Sequence, residues 1–172
     1  EWVKPNNCGL FCKHMAINNS LEDNIHPNEG MSPNFVGWKM FFVVGGKGLT
    51  GSAIIRLLKN EEIEYQIIQR ENKKDFFGKS CDVLIYANGN PLRYKANEDP
   101  FFDFKASVES VAEYIHNIDC KLFVHISSII VYDKINSKET TKENITINVE
   151  RLDNYGYHKI LAENYVKKYS KN

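Results

Sequence analysis

The spacing of apolar residues along this chain changes at Met40. There, Met40-Phe41-Phe42-Val43-Val44 forms a short continuous apolar run bounded by glycines, the pattern of a parallel strand buried on both faces. Ser52 to Lys59 carries apolar residues at helical spacing, and Tyr65 to Gln69 reads as a second strand. Val83 to Ala87 and Leu122 to Ile126 predict two more buried strands, separated by a helix from about Phe102 to His116. A last periodic stretch, Tyr157 to about Tyr169, gathers Ile160, Leu161, Tyr165 and Val166 on one stripe. Strands alternating with helices predict an α/β fold, a doubly wound parallel sheet in three α/β/α layers.

Residues 1–39 show no such period. Pro5-Asn6-Asn7, His26-Pro27-Asn28-Glu29-Gly30 and Ser32-Pro33-Asn34 punctuate them into turns, so they read as an irregular extension or the remnant of an upstream domain, with the folded domain over 40–172. The length of 172 residues and 42% hydrophobic content suffice for one core but not for two full domains. Basic and acidic residues number 22 each, which argues against nucleic acid or a charged membrane as partner and favours a small molecule. Cys8, Cys12, Cys81 and Cys120 make no paired framework, and no long apolar run occurs. A soluble protein of a reducing cytoplasm is the expectation. Cys8, Cys12 and His14, with His26 as the remaining candidate ligand, have poor spacing for a structural metal, and none is expected.

Gly45-Gly46-Lys47-Gly48-Leu49-Thr50-Gly51 leaves the first strand and opens the first helix. In that context glycines permit a tight turn, admit a pyrophosphate close to the backbone and let helix pack on strand, while the helix N-terminus meets the phosphates. The triplet reads either as Gly46, Gly48, Gly51 or as Gly45, Gly48, Gly51. At the end of the second strand, where an acid usually binds the adenine-ribose 2′-hydroxyl of NAD, the chain has Gln69 and Arg70. The planar fork of Arg70 suits a 2′-phosphate, which tilts the expected cofactor from NAD towards NADP, with Glu71 as the alternative acid.

Tyr155 and Lys159 stand four residues apart at the start of the last helix and share a face. An ammonium there favours the phenolate, so the tyrosine can exchange a proton with an alcohol or carbonyl near neutral pH. Ser127-Ser128 lies just past the strand ending at Ile126, on the edge where open α/β sheets bind ligands, and a hydroxyl there can hold the reacting oxygen.

In this order, Val44 to Gly51, Phe123-Val124-His125-Ile126-Ser127-Ser128-Ile129-Ile130-Val131-Tyr132 and Tyr155 to Glu163 make the chain from Met40 onward resemble the extended short-chain dehydrogenase/reductase family, the NAD-dependent epimerases and dehydratases. The resemblance implies a Rossmann-like fold and NAD(P) as cofactor. It implies Tyr155 as acid/base and Lys159 as its pKa partner and a ligand of the nicotinamide ribose. Ser128 matches the substrate-orienting serine, and Ala87, Asn88 and Gly89 match a loop lining the cofactor. It implies a nucleotide sugar as substrate and a homodimer formed through the last helix and the helix near 102–116.

The chain departs from the family at several points. Glu71 to Cys81 is too short for the usual helix and third strand, Ser107 stands where an asparagine is frequent, and Asp133 follows Tyr132 where glycine is usual. The family continues beyond this last helix into a substrate-binding region, so the domain is expected to be incomplete. Two other functions remain open on these residues: a dinucleotide-binding sensor or regulatory module without catalysis, and an NADPH-dependent reductase of a non-sugar carbonyl. His116, His125 and His158 are expected to be structural or solvated.

Overall fold

The computed structural model describes residues 15–17, 37–142 and 144–170. Its frame is a five-stranded sheet. Strands β1 (Met15–Ile17), β2 (Met40–Val44), β3 (Glu64–Ile68), β4 (Ser80–Tyr86) and β5 (Asp119–Ile126) lie in the order β1-β5-β4-β2-β3. The four strands β3, β2, β4 and β5 are parallel, and β1 runs antiparallel to β5. Helix α1 (Leu49–Asn60) follows β2, and the segment between β4 and β5 holds α2 (Arg93–Glu98), α3 (Pro100–Phe104) and α4 (Ser110–Asn117). Helix α5 (Asn154–Tyr169) follows β5.

The apolar runs form strands because side chains alternate between two covered faces. Phe41, Val43, Val83, Ile85, Leu122 and Val124 pack with Leu58 of α1 on one face. Phe42, Val44, Leu84, Tyr86 and Phe123 pack on the other with Val111, Tyr114, Ala162 and Val166 of α4 and α5. Helices on both faces of a mostly parallel sheet make this a Rossmann-like α/β fold.

The structure differs from the sequence pattern at three places. First, three residues of the stretch expected to be irregular join the sheet: Met15 pairs with Ile126, and Ile17 with Val124. An uncovered edge of β5 presents unpaired backbone groups, and any extended segment can satisfy them. Second, the helix read from about Phe102 begins at Pro100, where Asp99 caps it by accepting from Phe102 N at 2.9 Å, and it widens into a π-helical turn over Lys105–Glu109 before α4. Third, α5 buries Lys159, Ile160, Ala162 and Val166, while Leu161 and Tyr165 are only half-buried. As the shortness of Glu71 to Cys81 predicts, β3 and β4 are joined by a chain with one short 3-10 turn, Lys73–Phe76, with no strand between them. Phe76 anchors that crossing edge-on against Phe42, ring centroids 5.1 Å apart, and a buried phenylalanine contributes about 1.5–3 kcal/mol.

Cys81 and Cys120 are register partners on β4 and β5. Burial, then the neighbouring Cys120, pushes the Cys81 thiol up to about 12, so it behaves as a small apolar side chain. Cys8, Cys12, His14 and His26 lie outside the described residues. Among the described residues no helix is long and apolar enough to cross a membrane.

Candidate active site

Register places the site. Val44 pairs with Ile68 and with Tyr86, and Tyr86 pairs with His125, so the chain leaves all four parallel strands on one edge. The segments beginning at Gly45, Gln69, Ala87 and Ser127 therefore cluster there. Because β3 lies to one side of β2 and β4 to the other, the crevice between Gly45 and Ala87 is a topological switch point, the usual ligand position in such sheets.

The glycine loop is fitted to this crevice. Gly45 has φ +78°, and a Cβ on it would stand 2.9 Å from the Ala87 carbonyl oxygen. A Cβ on Gly51 would fall 2.2 Å from the Gly45 carbonyl oxygen, and one on Gly46 would fall 2.8 Å from Ile67 Cγ2. The packing thus requires both Gly45 and Gly46, which the sequence offered as alternatives. Gly48 is different: it is exposed, its backbone is ordinary for any residue at φ −74°, and its Cβ would meet only the Gly45 carbonyl oxygen at 3.3 Å. It precedes an α1 with no side-chain cap and no acid in its first turn. Free N–H groups at an uncapped helix start, beside a glycine that packing does not demand, fit an anionic group such as a pyrophosphate. At the end of β3, Gln69 is half-buried with its Nε2 unpartnered, and Arg70 is exposed. Glu71 stands 3.8 Å from Lys47 in an exposed pair.

Across the crevice, Gly89 has φ +144°, and a Cβ on it would come within 3.0 Å of Lys159 Nζ. The loop Ala87-Asn88-Gly89 therefore lies between the glycine loop and α5. Helix α5 starts at Asp153, whose Oδ1 accepts from Gly156 N at 2.9 Å and whose Oδ2 accepts from Arg93 Nε at 2.5 Å. Burial alone would raise the Asp153 carboxyl, but the Gly156 N–H and Arg93 outweigh it and hold the group below its usual range. Gly156 lets the helix start press on the 3-10 turn Ile129–Val131, since a Cβ there would be 2.6 Å from the Ile130 carbonyl oxygen. That turn follows Ser128, which caps it by accepting from Ile130 N at 3.3 Å.

The close approach brings the Ser128 hydroxyl near enough to the Tyr155 phenol to lower its titration, and Lys159 Nζ lies 5.6 Å from the Tyr155 ring centroid. Ser128, Tyr155 and Lys159 are thus together. Ser127 is not with them: its hydroxyl donates to Glu163 of α5.

One expectation is reversed. Tyr155 is raised rather than lowered: burial is the largest cause, Asp103 and Asp153 add to it, and the nearby Ser128 hydroxyl opposes it. Lys159 is itself taken out of water, and burial pushes it down against the pull of Asp103 and Glu163. Desolvation of both partners outweighs the attraction assumed from their spacing.

Two of the histidines, His158 and His125, are buried. His158 Nδ1 lies 2.7 Å from Asp103 Oδ2, and Asp103 Oδ1 accepts from Asn90 Nδ2 at 2.9 Å and from Ser107 Oγ at 3.3 Å. His125 is wholly buried with neither ring nitrogen hydrogen-bonded, and burial, then Lys159, pushes it down to about 3. The sequence signal for this cluster was Asp103 itself, a charge set inside Pro100-Phe101-Phe102-Asp103-Phe104.

Residues 41–172 match the model of the NAD dependent epimerase/dehydratase family. The chain belongs to this family. Solved structures agree in fold. The dTDP-4-dehydrorhamnose reductase from Clostridium acetobutylicum superposes with a TM-score of 0.58 at 19% identity, over 76% of this chain and 50% of that one. RMD from Pseudomonas aeruginosa, complexed with NADPH, gives 0.60 at 16% identity, over 76% and 50%. A UDP-galactose 4-epimerase gives 0.54 at 17%, over 76% and 52%. The chain spans about half the length of these family structures. No curated protein matches it.

Proposed function

We propose that this chain is the cofactor-binding and proton-transferring part of an NAD(P)-dependent enzyme acting on a nucleotide sugar, as an epimerase, dehydratase or reductase. The observation that carries the reading is the position of Ala87–Gly89, wedged between the glycine loop and Lys159. It puts an anion-binding helix start and a serine, tyrosine and lysine set on one crevice. When bound, a nicotinamide dinucleotide supplies hydride acceptance and return at a substrate carbon. The backbone of Gly45, Gly46, Gly48, Leu49, Thr50 and Gly51 receives the pyrophosphate, and Ala87, Asn88 and Gly89 line the path towards Lys159. Arg70 is exposed at the end of β3, and Glu71, the alternative acid, pairs with Lys47, which favours Arg70 on a 2′-phosphate and so NADP.

Ser128 holds the substrate oxygen, Tyr155 moves the proton to or from it, and Lys159 holds the ribose and supplies positive charge next to the phenol. A phenol raised by burial is a poor base by itself, so the ammonium has to remain charged when the site is filled. The names of the reductase and the epimerase among the similar structures support a sugar nucleotide as substrate. Exposed Phe101, Phe102, Tyr157 and Tyr169 on α3 and α5 would suit a second copy of the chain.

A binding module without chemistry is the second reading, favoured by β1, which closes the outer edge of β5 to any further parallel strand. Titration with NADPH and with NADH, followed by nicotinamide fluorescence, tests the first claim together with Gly48→Asp. Binding lost in that variant supports the loop reading, and no binding by the parent chain removes it. In the full-length gene product, Tyr155→Phe is expected to keep cofactor binding and lose turnover. Unchanged turnover would remove the mechanism, and a parent that binds cofactor yet turns over no nucleotide sugar would leave the module reading.

A further inference from the structure

Two contacts stand side by side between the loop after β4 and helix α5. Gly89 meets Lys159, where a Cβ on the glycine would lie 3.0 Å from Nζ, and each of these residues has a sequence neighbour that reaches the same carboxyl group. Asn90 Nδ2 donates to Asp103 Oδ1 at 2.9 Å, and His158 Nδ1 lies 2.7 Å from Asp103 Oδ2. The loop and α5 are therefore joined through one side chain of α3, one residue away from the place where they touch. Ser107 Oγ, on the π-helical turn, adds a further bond to Oδ1 at 3.3 Å.

Both ends of this bridge are held. Asn90 Nδ2 also donates to the Leu92 carbonyl oxygen at 3.0 Å, and its Oδ1 accepts from Leu92 N at 2.8 Å, so the loop is curled around the amide. His158 is fixed edge-on to Phe104, ring centroids 5.8 Å apart. Asn90, Asp103, Ser107 and His158 are all buried. A polar group costs free energy to bury that an apolar side chain of similar volume does not, and Asp103 stands between Phe102 and Phe104. What its carboxyl group offers and a leucine does not is direction, since its two oxygens hold two partners at set distances. The bond to His158 forms with the hydrogen on either partner, so the bridge does not depend on the charge of the pair. Arg93 on Asp153 fastens α2 to the start of α5 as well, but Arg93 is exposed and water screens that pair.

We propose that Asp103 is a positioning residue: by bridging Asn90 and His158 it holds Gly89 against Lys159 and so sets the spacing between the loop after β4 and α5. A loop released from α5 would uncover Lys159, which is only 4% exposed, and would widen the crevice assigned to the cofactor. The inference rests on the functional reading for the use of that crevice, but the protection of Lys159 can be measured with no cofactor present.

The test is the rate at which the Lys159 amine is methylated by formaldehyde and a borane reductant in the folded chain, read by peptide mass spectrometry, with urea unfolding of the same proteins alongside. Asp103→Leu, which fills the volume and removes the bridge, is expected to raise the Lys159 rate severalfold while leaving an exposed lysine such as Lys47 unchanged. Asp103→Asn is expected to stay close to the parent, because the amide still accepts from Asn90 and Ser107 through its oxygen and donates to His158 Nδ1 through its nitrogen. If Asp103→Leu fails to fold, Asn90→Ala and His158→Phe cut the bridge from either end with Asp103 in place. Each is expected to raise the Lys159 rate, and the double variant to raise it no further than the larger of the two. Stability lost with Lys159 still protected overturns the proposal. So does an Asp103→Asn rate equal to that of Asp103→Leu, which places the effect in the charge, or single effects that multiply in the double variant, which makes the two ends independent. NADPH titration keeps the two claims apart: a parent chain that binds no cofactor removes the functional reading, whereas the protection of Lys159 still reports on Asp103.

Discussion

Gly89 and Lys159 meet so closely that a single Cβ on the glycine would lie 3.0 Å from the lysine Nζ. The contact joins the loop after β4 to α5, and with it the dinucleotide crevice to the serine, tyrosine and lysine set. Gly89→Ala carries a double cost, because φ +144° is strained for any side chain and the new methyl group displaces the ammonium. The expected outcome is a loss of about 1–3 kcal/mol in urea unfolding, together with at least a severalfold weaker NADPH affinity. A variant with parent-like stability and affinity would show that this contact positions nothing.

The glycines of the loop divide into those that packing requires and one that it does not. Gly51→Ala forces a methyl group against the Gly45 carbonyl oxygen at 2.2 Å and is expected to destabilise the domain by about 3 kcal/mol, at the upper end for overpacking. Gly48→Ala, with an ordinary backbone and a 3.3 Å contact, is expected to stay within about 0.5 kcal/mol of the parent, as for most surface changes. It should nevertheless weaken NADPH binding. Thermal unfolding and fluorescence titration of the two variants, side by side, check the division.

Gly156 sets the distance between Tyr155 and Ser128. Gly156→Ala meets the Ile130 carbonyl oxygen at 2.6 Å, so the first turn of α5 has to lift from the turn that carries Ser128. Moved away from Ser128, Tyr155 loses the largest influence that lowers it, and its titration, followed by phenolate absorbance against Tyr155→Phe, is expected to move higher. A Tyr155 midpoint unchanged from the parent would mean that the helix start yields elsewhere.

His125 should make the domain sensitive to acid. Its pKa lies at about 3 in the folded protein against 6.5 for an unperturbed histidine, so between those values the unfolded chain binds a proton that the native one does not. Stability from this group is accordingly intact above about pH 6.5 and falls as the pH drops towards 3. His125→Phe, which keeps the ring against Tyr86 and removes two unpartnered nitrogens, is expected to flatten that limb and to raise stability at pH 5 by about 1 kcal/mol or more. Urea midpoints measured from pH 4 to 8 check both effects, and an acid limb equally steep in the variant would place its origin elsewhere.

Much of this was written in the linear sequence because it depends on neighbours along the chain. The apolar runs at Met40–Val44 and Leu122–Ile126 are strands because only a strand buried on both faces tolerates them. The glycine loop is legible because its glycines stand between a strand and a helix, and Tyr155 and Lys159 because four residues make one helical turn. The family match over residues 41–172 agrees with these local signals.

What the tertiary structure decided involves groups distant in sequence. Asp103 and His158 are 55 residues apart, and no periodicity links them until α3 and α5 pack together. The raised Tyr155 and the lowered Lys159 are set by burial, which spacing does not measure. The antiparallel β1 answers an open sheet edge rather than any strong pattern of its own. Local propensity and periodicity settle which elements form. Desolvation and long-range contact settle which charges they hold in the site, because both depend on what the rest of the chain excludes from water.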